Sequence, residues 1–355
     1  MKNAPKKLAF VAIIATIAAG ALSGCAPTAD TGSGGGAAKI ALLLPESKTA
    51  RYEAFDRPFF EDKVAELSDF EVLYSNADQD AAKQQTQAEA ALADGATVLV
   101  LDPVDAAAAV SIVTAANAQG VPVISYDRLV SGGDLAYYIS FDNEKVGVLQ
   151  GQALTEKLDA DGASGGLLMV NGSPTDGNAV LFKSGAHSII DKSSYPVLAE
   201  FDTPDWSPDK AQEWVAGQIT QYAGQFVGLY AANDGTAGGA IAALKAANVS
   251  PLPIITGQDA ELAGIQRIVS GDQYMTIYKA IKAEAELAAE IAVKLAKGEN
   301  VTGDTKVDGT PATLLEPVVV TIDNIMETVV ADGFWSVADI CTADYADACA
   351  AAGIS

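Results

Sequence analysis

The stretch QFVGLYAANDGTAGGAIAALKA, residues 225–246, changes its periodicity half-way along. Gln225 to Ala231 is an apolar run of strand length. Beyond it, Ala240, Ile241, Leu244 and Ala247 recur at three- and four-residue spacing, which is the spacing of a helix. Between the two lie Asn233, Asp234, Gly235 and Thr236. A turn that leads from a buried strand into a helix is where an open α/β sheet gathers ligands. Two readings stand open at this point. Asp234 or Thr236 merely caps the helix, or the turn holds a ligand.

The same alternation extends in both directions. KIALLLP, FEVLYSNA, ATVLVLDP, VPVISYDRL and AYYISFD read as strands, separated by the helical runs YEAFDRPFFEDKVAEL, DQDAAKQQTQAEAALADG and DAAAAVSIVTAANAQG. Repeated βαβ predicts a parallel sheet with helices on both faces. The pattern then starts again. NEKVGVLQGQALTEKL, GNAVLFKSGAHSII, SPDKAQEWVAGQITQY and ELAGIQRIVSG are helical, and GGLLMVNGSP, YPVLAEFD, FVGLYAAND and LPIITGQDA are strands. Two α/β halves of similar layout result. YMTIYKA, the helix IKAEAELAAEIAVKLAKG and a late strand, LLEPVVVTIDNI, exceed what the second half needs. A chain that crosses between the halves several times accommodates them.

Residues 1–25 have the form of a secretory leader. Lys2, Lys6 and Lys7 precede the apolar Leu8 to Ala21. Leu22-Ser23-Gly24-Cys25 has small residues before the cysteine and is similar to the box at which bacterial lipoproteins are cut and lipidated. A plain leader cut near Ala21 is the alternative. Residues 26–37 are rich in Gly, Ser, Thr and Ala, as a flexible tether is. Two acyl chains on Cys25 suffice for stable anchoring. The roughly 318 residues from Ala38 onward exceed one ordinary core and predict two domains.

Composition excludes some functions. The chain has 22 basic against 46 acidic residues, a formal net charge of −24. Such a surface repels nucleic acid and anionic lipid headgroups. Besides Cys25, the cysteines are Cys341 and Cys349. An even pair in an exported chain predicts a disulfide, here a clip on the C-terminal tail. No histidine lies near them, and they are not a redox Cys-x-x-Cys. The single histidine, His187, sits in an apolar helical run, where packing or a surface position is the simpler reading. Neither a Gly-x-Ser-x-Gly elbow nor a phosphate-binding P-loop occurs. A glycosidase needs a spaced carboxylate pair, and Asp127 with Asp259 is the pair that would serve.

Polar residues collect at the strand ends. They include Glu46, Arg51, Tyr52, Asp102, Asp127, Arg128, Asp142, Asn143, the stretch 173–178, Asn233, Asp234, Gln258, Asp259 and Lys279, with Trp206 in the loop TPDWSPD. If the halves face each other there, these residues line a cleft. Carboxylates accept from hydroxyls, amides do both, and Arg and Lys donate. An aromatic face covers the C–H face of a pyranose. The set suits a neutral ligand with many hydroxyls, and it needs no metal or cofactor. Each residue also has a plainer reading: Asp127 and Arg128 as a surface ion pair, Asn178 as a cap, Trp206 as core, Lys279 as solvated.

Several motifs then carry a resemblance. YDRLV with YYISFDNEKVGVLQGQAL, NGSPTDGNAVLFKSG, AANDGTAGGAIAAL, GQDAELAGIQRIVSGDQYMTIYK and DGFW resemble the periplasmic sugar-binding proteins of ABC transporters, and within them the D-xylose binders. The likeness runs over nearly all of residues 39–335. It implies a type I fold, with two Rossmann-like domains joined by a three-strand hinge and a sugar buried on closure. Residues 38–140 with 276–312 would form the first lobe, 141–275 with 313–335 the second, and 336–355 the tail. It also implies sugar contacts by Arg51, Tyr52, Asp127, Arg128, Asn178, Trp206, Asn233, Asp259 and Lys279, with Asp234 starting the helix behind Asn233. Position 52 is Tyr where the xylose binders carry Trp, so glucose, galactose and arabinose remain alternatives. The implied protein is a monomer. It delivers its sugar to an ABC permease or presents it to a chemoreceptor or histidine kinase.

Overall fold

The computed structural model describes residues 38–354, and the leader, the tether and Cys25 lie outside them. Strands β1 (Lys39–Leu44), β2 (Glu71–Asn76), β3 (Ala96–Leu101), β4 (Val123–Tyr126) and β5 (Tyr137–Phe141) alternate with α1 (Arg57–Leu67), α2 (Ala81–Ala93) and α3 (Val110–Asn117). The second half runs α4 (Asn143–Ala160), β6 (Gly166–Asn171), α5 (Gly177–Ile190), β7 (Val197–Asp202), α6 (Pro208–Gln221), β8 (Phe226–Ala231), α7 (Asp234–Ala246), β9 (Ile254–Ile255), α8 (Leu262–Ser270) and β10 (Met275–Tyr278). There follow α9 (Ile281–Ala296), β11 (Thr305–Val307), β12 (Thr310–Leu315), β13 (Val318–Thr321), α10 (Val337–Ile340) and α11 (Ala346–Ala352).

The first sheet has the order β11-β12-β5-β4-β3-β1-β2, parallel except for the edge strand β11. Its central strands β1, β3 and β4 are largely apolar because both faces are covered. Ile40, Leu42 and Leu44 face α1 and α9, while Ala41 and Leu43 face α2 and α3. The second sheet, β7-β6-β8-β9, is parallel. The chain after β9 continues it, since Ile277 N–H donates to the Gly257 carbonyl and Asp259 N–H to the Ile277 carbonyl. β13 then pairs antiparallel with β10. The molecule thus has the two Rossmann-like lobes of the type I fold, and the chain passes between them after β5, β10 and β12.

Two details differ from expectation. LLEPVVVTIDNI is not one strand: Pro317 separates β12, in the first sheet, from β13, in the second. Proline cannot donate to a ladder, so a strand breaks there. The crossings accordingly fall a few residues beyond 276 and 312, because β10 up to Tyr278 lies with the second lobe and β12 up to Leu315 with the first. The hairpin β11–β12 was not expected. Its turn is Asp308-Gly309, both at positive φ (49° and 87°), a strong hairpin signal.

The tail is joined by a Cys341–Cys349 disulfide and packs on α8. Gln266 donates to the carbonyls of Asp339 and Ile340. Just before the tail, Phe334 stacks on Phe55 of the first lobe at 4.1 Å, and the Trp335 indole N–H donates to the Ala260 carbonyl.

Candidate functional site

The ends of β1, β4, β6, β8, β9 and β10 converge on a small space between the lobes. All nine predicted contact residues line it, joined by Thr49, Asp176, Phe182 and Gln258. None of the nine is more than 5 % exposed, so the lobes are closed around the space.

The first lobe contributes a buried charge network. Arg51 follows β1 in a π-helical turn that also carries Tyr52. Its guanidinium forks onto Asp56 at 2.9 and 2.6 Å, reaches Glu284 on α9 at 2.9 Å, and bonds Asp127 through Nη1. Burial pushes the Asp127 carboxyl up, but Arg51, Lys279 and Arg128 outweigh it and hold its pKa at about 2. Arg128 donates to the Tyr52 hydroxyl at 3.1 Å, and its Nε lies 2.9 Å from Asp176 Oδ2. Asp102, behind it, is 3.6 Å from Arg128 with both oxygens otherwise unpartnered, and burial raises its pKa well above the usual range.

The second lobe supplies amides and an aromatic wall. Asp176 caps α5 and positions Asn178, whose Nδ2 donates across the lobes to Asp127 Oδ1 at 2.6 Å. Four residues on, Phe182 packs edge-on against Trp206. The Trp206 indole N–H donates to Asp176 Oδ2 at 2.9 Å. Lys279, at the β10 crossing, sits 3.1 Å from Asp259 and 3.8 Å from Asp127. Burial lowers its pKa, but those two carboxylates raise it further. Asn178 Oδ1 and Gln258 Oε1 are buried acceptors without a protein partner. Unpaired buried acceptors are costly, about 1–3 kcal/mol each, so their retention points to a ligand donor.

Backbone strain concentrates here. Asp127, Trp206 and Asp259 have φ of 53°, 52° and 88°. Aspartate tolerates this region, but for a bulky residue such as Trp it is an outlier. Such conformations cost about 1–3 kcal/mol each and cluster at ligand clamps.

The turn after β8 resolves the opening question differently from either reading. Asn233 itself caps α7: its Oδ1 accepts from Thr236 N–H at 2.9 Å, and Thr236 Oγ1 returns a bond to the Asn233 backbone. One side-chain oxygen is thereby committed, and the Nδ2 is what the residue offers the cavity. Asp234 faces away. Its carboxylate accepts from Glu261 N–H, Gln273 and Thr276, tying α7 to β10. His187 lies outside the cavity, on the surface between Asp191 and Glu200.

Comparison with known proteins agrees with this architecture. Residues 40–300 match the periplasmic binding protein domain. The chain belongs to the periplasmic binding protein family. It is 36 % identical over 304 residues to the D-xylose-binding periplasmic protein of Escherichia coli K12, covering 83 % of this chain and 90 % of that one. It is 30 % identical over 283 residues to a multiple sugar-binding periplasmic receptor of Rhizobium radiobacter, covering 73 % and 80 %. A solute-binding protein of an ABC transporter from Clostridium phytofermentans, solved with bound β-D-glucose, superposes with a TM-score of 0.78 at 28 % identity, covering 85 % and 99 %.

Sequence reasoning passed over Asp176 and Phe182. Asp176 stood inside the polar stretch 173–178, two residues before Asn178 and so at the cap. Phe182 lies one helical turn after Asn178 on the same face, a spacing that brings it to the cavity.

Proposed function

We propose that this protein captures a neutral monosaccharide, D-xylose first, between its lobes and hands it to an ABC permease. The observation that carries this reading is the closed cavity, with three cations matched by three carboxylates, two unpartnered buried acceptors and aromatic walls from Tyr52, Phe182 and Trp206. Balanced charge suits an uncharged ligand, and the free amide oxygens suit its hydroxyls. The kinship with a D-xylose-binding protein supports the choice of sugar. Relatives named for several sugars or solved with glucose support a broader aldose range as the second reading. A sensory role would use the same closed form.

Glycoside hydrolysis fits poorly. Asp127, with its pKa held at about 2, can be only the ionised member of such a pair, and Asp259 is ion-paired with Lys279 at 3.1 Å. Lipidation of Cys25 would place the binding body outside the cytoplasmic membrane as a monomer on a tether. Metabolic labelling with a palmitate analogue should mark the wild type and not Cys25→Ser.

The test of ligand class is a thermal-shift screen of residues 38–355 against xylose, glucose, galactose, arabinose and ribose. A ligand at a hundred times its Kd adds about 2.7 kcal/mol of stability, a shift of several degrees. A shift with xylose alone supports the first reading. Equal shifts with hexoses support the broader one. No shift with any sugar refutes both.

A further inference from the structure

We infer that Trp335 is a positioning residue for the sugar site: through the Ala260 carbonyl it holds the turn that presents Asp259. The inference rests on the sugar-site reading above and adds to it a group that touches no ligand. Trp335 ends the motif DGFW and is not among the residues that line the cavity. The turn it holds lies between β9 and α8, where Asp259 and Ala260 follow one another at φ of 88° and 48°. Aspartate visits the left-handed region at small cost, but the Cβ of an alanine crowds the following carbonyl there. Such a pair persists only where its surroundings over-determine it.

The backbone of the turn is held group by group. Asp259 N–H donates to the Ile277 carbonyl at 2.8 Å, and Ala260 N–H to Thr276 Oγ1 at 3.2 Å. Glu261 N–H donates to Asp234 Oδ2 at 2.9 Å. The Ala260 carbonyl accepts from Trp335 Nε1 at 2.8 Å, and Ala260 itself is fully buried. The indole is seated for this bond. Gly333, at φ 70°, turns the chain, and the N–H groups of Phe334 and Trp335 both donate to the Val329 carbonyl. Phe55 and Phe334 pack edge-on against the ring at 4.9 and 5.6 Å. At the other end of the turn, Asp259 Oδ1 lies 3.1 Å from Lys279 Nζ and accepts from Gln258 Nε2 at 3.1 Å, so a rotation of the turn displaces a cavity carboxylate. The indole bond lies within the second lobe and is made with or without sugar. Its loss acts on affinity through the sugar-free protein, where the turn relaxes toward negative φ. Sugar must then recover the strained form, and the apparent affinity falls by the fraction that stays competent.

Trp335→Phe keeps a packed ring and removes the N–H. Titration calorimetry with D-xylose should show Kd raised about three- to tenfold, the weight of one neutral hydrogen bond. Ala260→Gly removes the Cβ that makes the turn costly. Alone it should leave Kd within about twofold of wild type, and combined with Trp335→Phe it should bring Kd back to that range. A tryptophan that merely packs gives no such rescue. Wild-type Kd in Trp335→Phe overturns the inference, and so does a raised Kd that Ala260→Gly leaves raised. Should Trp335→Phe fail to fold, Trp335→Tyr is read in the same way. If the wild type binds none of the five sugars, the sugar reading fails separately. The turn is then judged in the ligand-free proteins by hydrogen exchange at the amide of residue 260. Exchange about tenfold faster in Trp335→Phe, and slowed again by Ala260→Gly, supports the brace, and equal exchange in wild type and Trp335→Phe overturns it.

Discussion

Gly172→Ala tests whether the aromatic wall sets affinity. Gly172 directly follows β6, and the benzo ring of Trp206 lies across it. A Cβ at this position would overlap Cη2, Cζ2 and Cζ3 of that ring. The Trp206 backbone, at φ 52°, is already strained and offers little slack. The indole must therefore tilt away from β6. Tilting withdraws its N–H from Asp176 and its face from the cavity. Overpacking of this kind costs about 1–3 kcal/mol of stability. A hydrogen bond to a charged group contributes about 1.5–3 kcal/mol, and a well-placed aromatic contact about 0.5–1.5 kcal/mol. The indole bond to Asp176 lies within the second lobe and is made with or without sugar, so its loss falls on stability. The aromatic contact is what binding loses, roughly 2- to 12-fold in Kd at 1.4 kcal/mol per decade. Isothermal titration with D-xylose, beside the melting temperature of the ligand-free protein, measures both effects. Gly217→Ala is the control, since a Cβ there meets nothing within 4 Å; on the helix α6 it should stabilise by about 0.5–1 kcal/mol and leave Kd alone. Gly172→Ala binding within twofold of wild type would refute the wall as a determinant of affinity.

Three further substitutions probe other links. Asn233→Ala removes the α7 cap, costing about 1 kcal/mol, and should abolish sugar binding while unfolding stays cooperative; wild-type affinity in titration would sink the assignment of this turn to the cleft. Burial raises the Asp234 pKa to about 7, against Arg267 and the Gln273 hydrogen bond. The folded protein thus keeps a proton there that the unfolded chain releases above about pH 4, so this contribution to stability falls as pH rises from about 4 to about 7, by up to ~1.4 kcal/mol per unit. Urea unfolding at pH 5 and pH 7 should show that fall diminished in Asp234→Asn, and equal pH dependence in the two proteins would contradict it. Cys341→Ser opens a short loop worth about 2–3 kcal/mol by chain-entropy reasoning; proteolysis should reach the tail sooner while Kd holds, and a large loss of affinity would mean that the tail reaches the cleft.

Most of the fold was legible because its strands are buried on both faces. A run such as Ile40 to Leu44 admits few other readings, and the helices between such runs are closed by Gly95 and Gly120. What escaped lies at the sheet's edge. β11 is three residues long and, like the start of β12, carries Thr, Lys or Pro and buries little, so hydrophobic periodicity is silent there and only the Asp-Gly turn speaks. The candidate site was legible residue by residue, as polar groups at strand ends. Its wiring was not. Arg51 meets Glu284 across 233 positions of sequence, and Arg128 meets Asp176 across the lobes. No local pattern encodes which carboxylate a guanidinium will find. Asn233 shows the same limit in miniature: a cap and a cavity-facing amide need the same residue at the same place, and only the geometry assigns one atom to each.

The charge pattern also says where selectivity must reside. Arg51, Arg128 and Lys279 face Asp127, Asp176 and Asp259, so the groups at the cavity are balanced. Behind them in the first lobe are four more buried carboxylates. Asp56 is held by Arg51 and the Tyr126 hydroxyl, and Glu46 by the Lys48 and Thr49 N–H groups. Burial pushes Asp102 and Glu284 well above the usual carboxylate range. Neither lines the cavity. A sugar acid would bring an uncompensated carboxylate into this dry space, and a buried unpaired charge is strongly disfavoured. Among neutral aldoses, however, the charged groups offer every hydroxyl much the same donors and acceptors. Discrimination then falls to shape, and shape is set by Tyr52, Phe182 and Trp206. Of these, Tyr52 is pinned by Arg128 through its hydroxyl, an anchor that an indole at this position would have to replace with a differently placed N–H. On the proposed reading the polar network selects a polyol, and the ring at position 52 bears on which one.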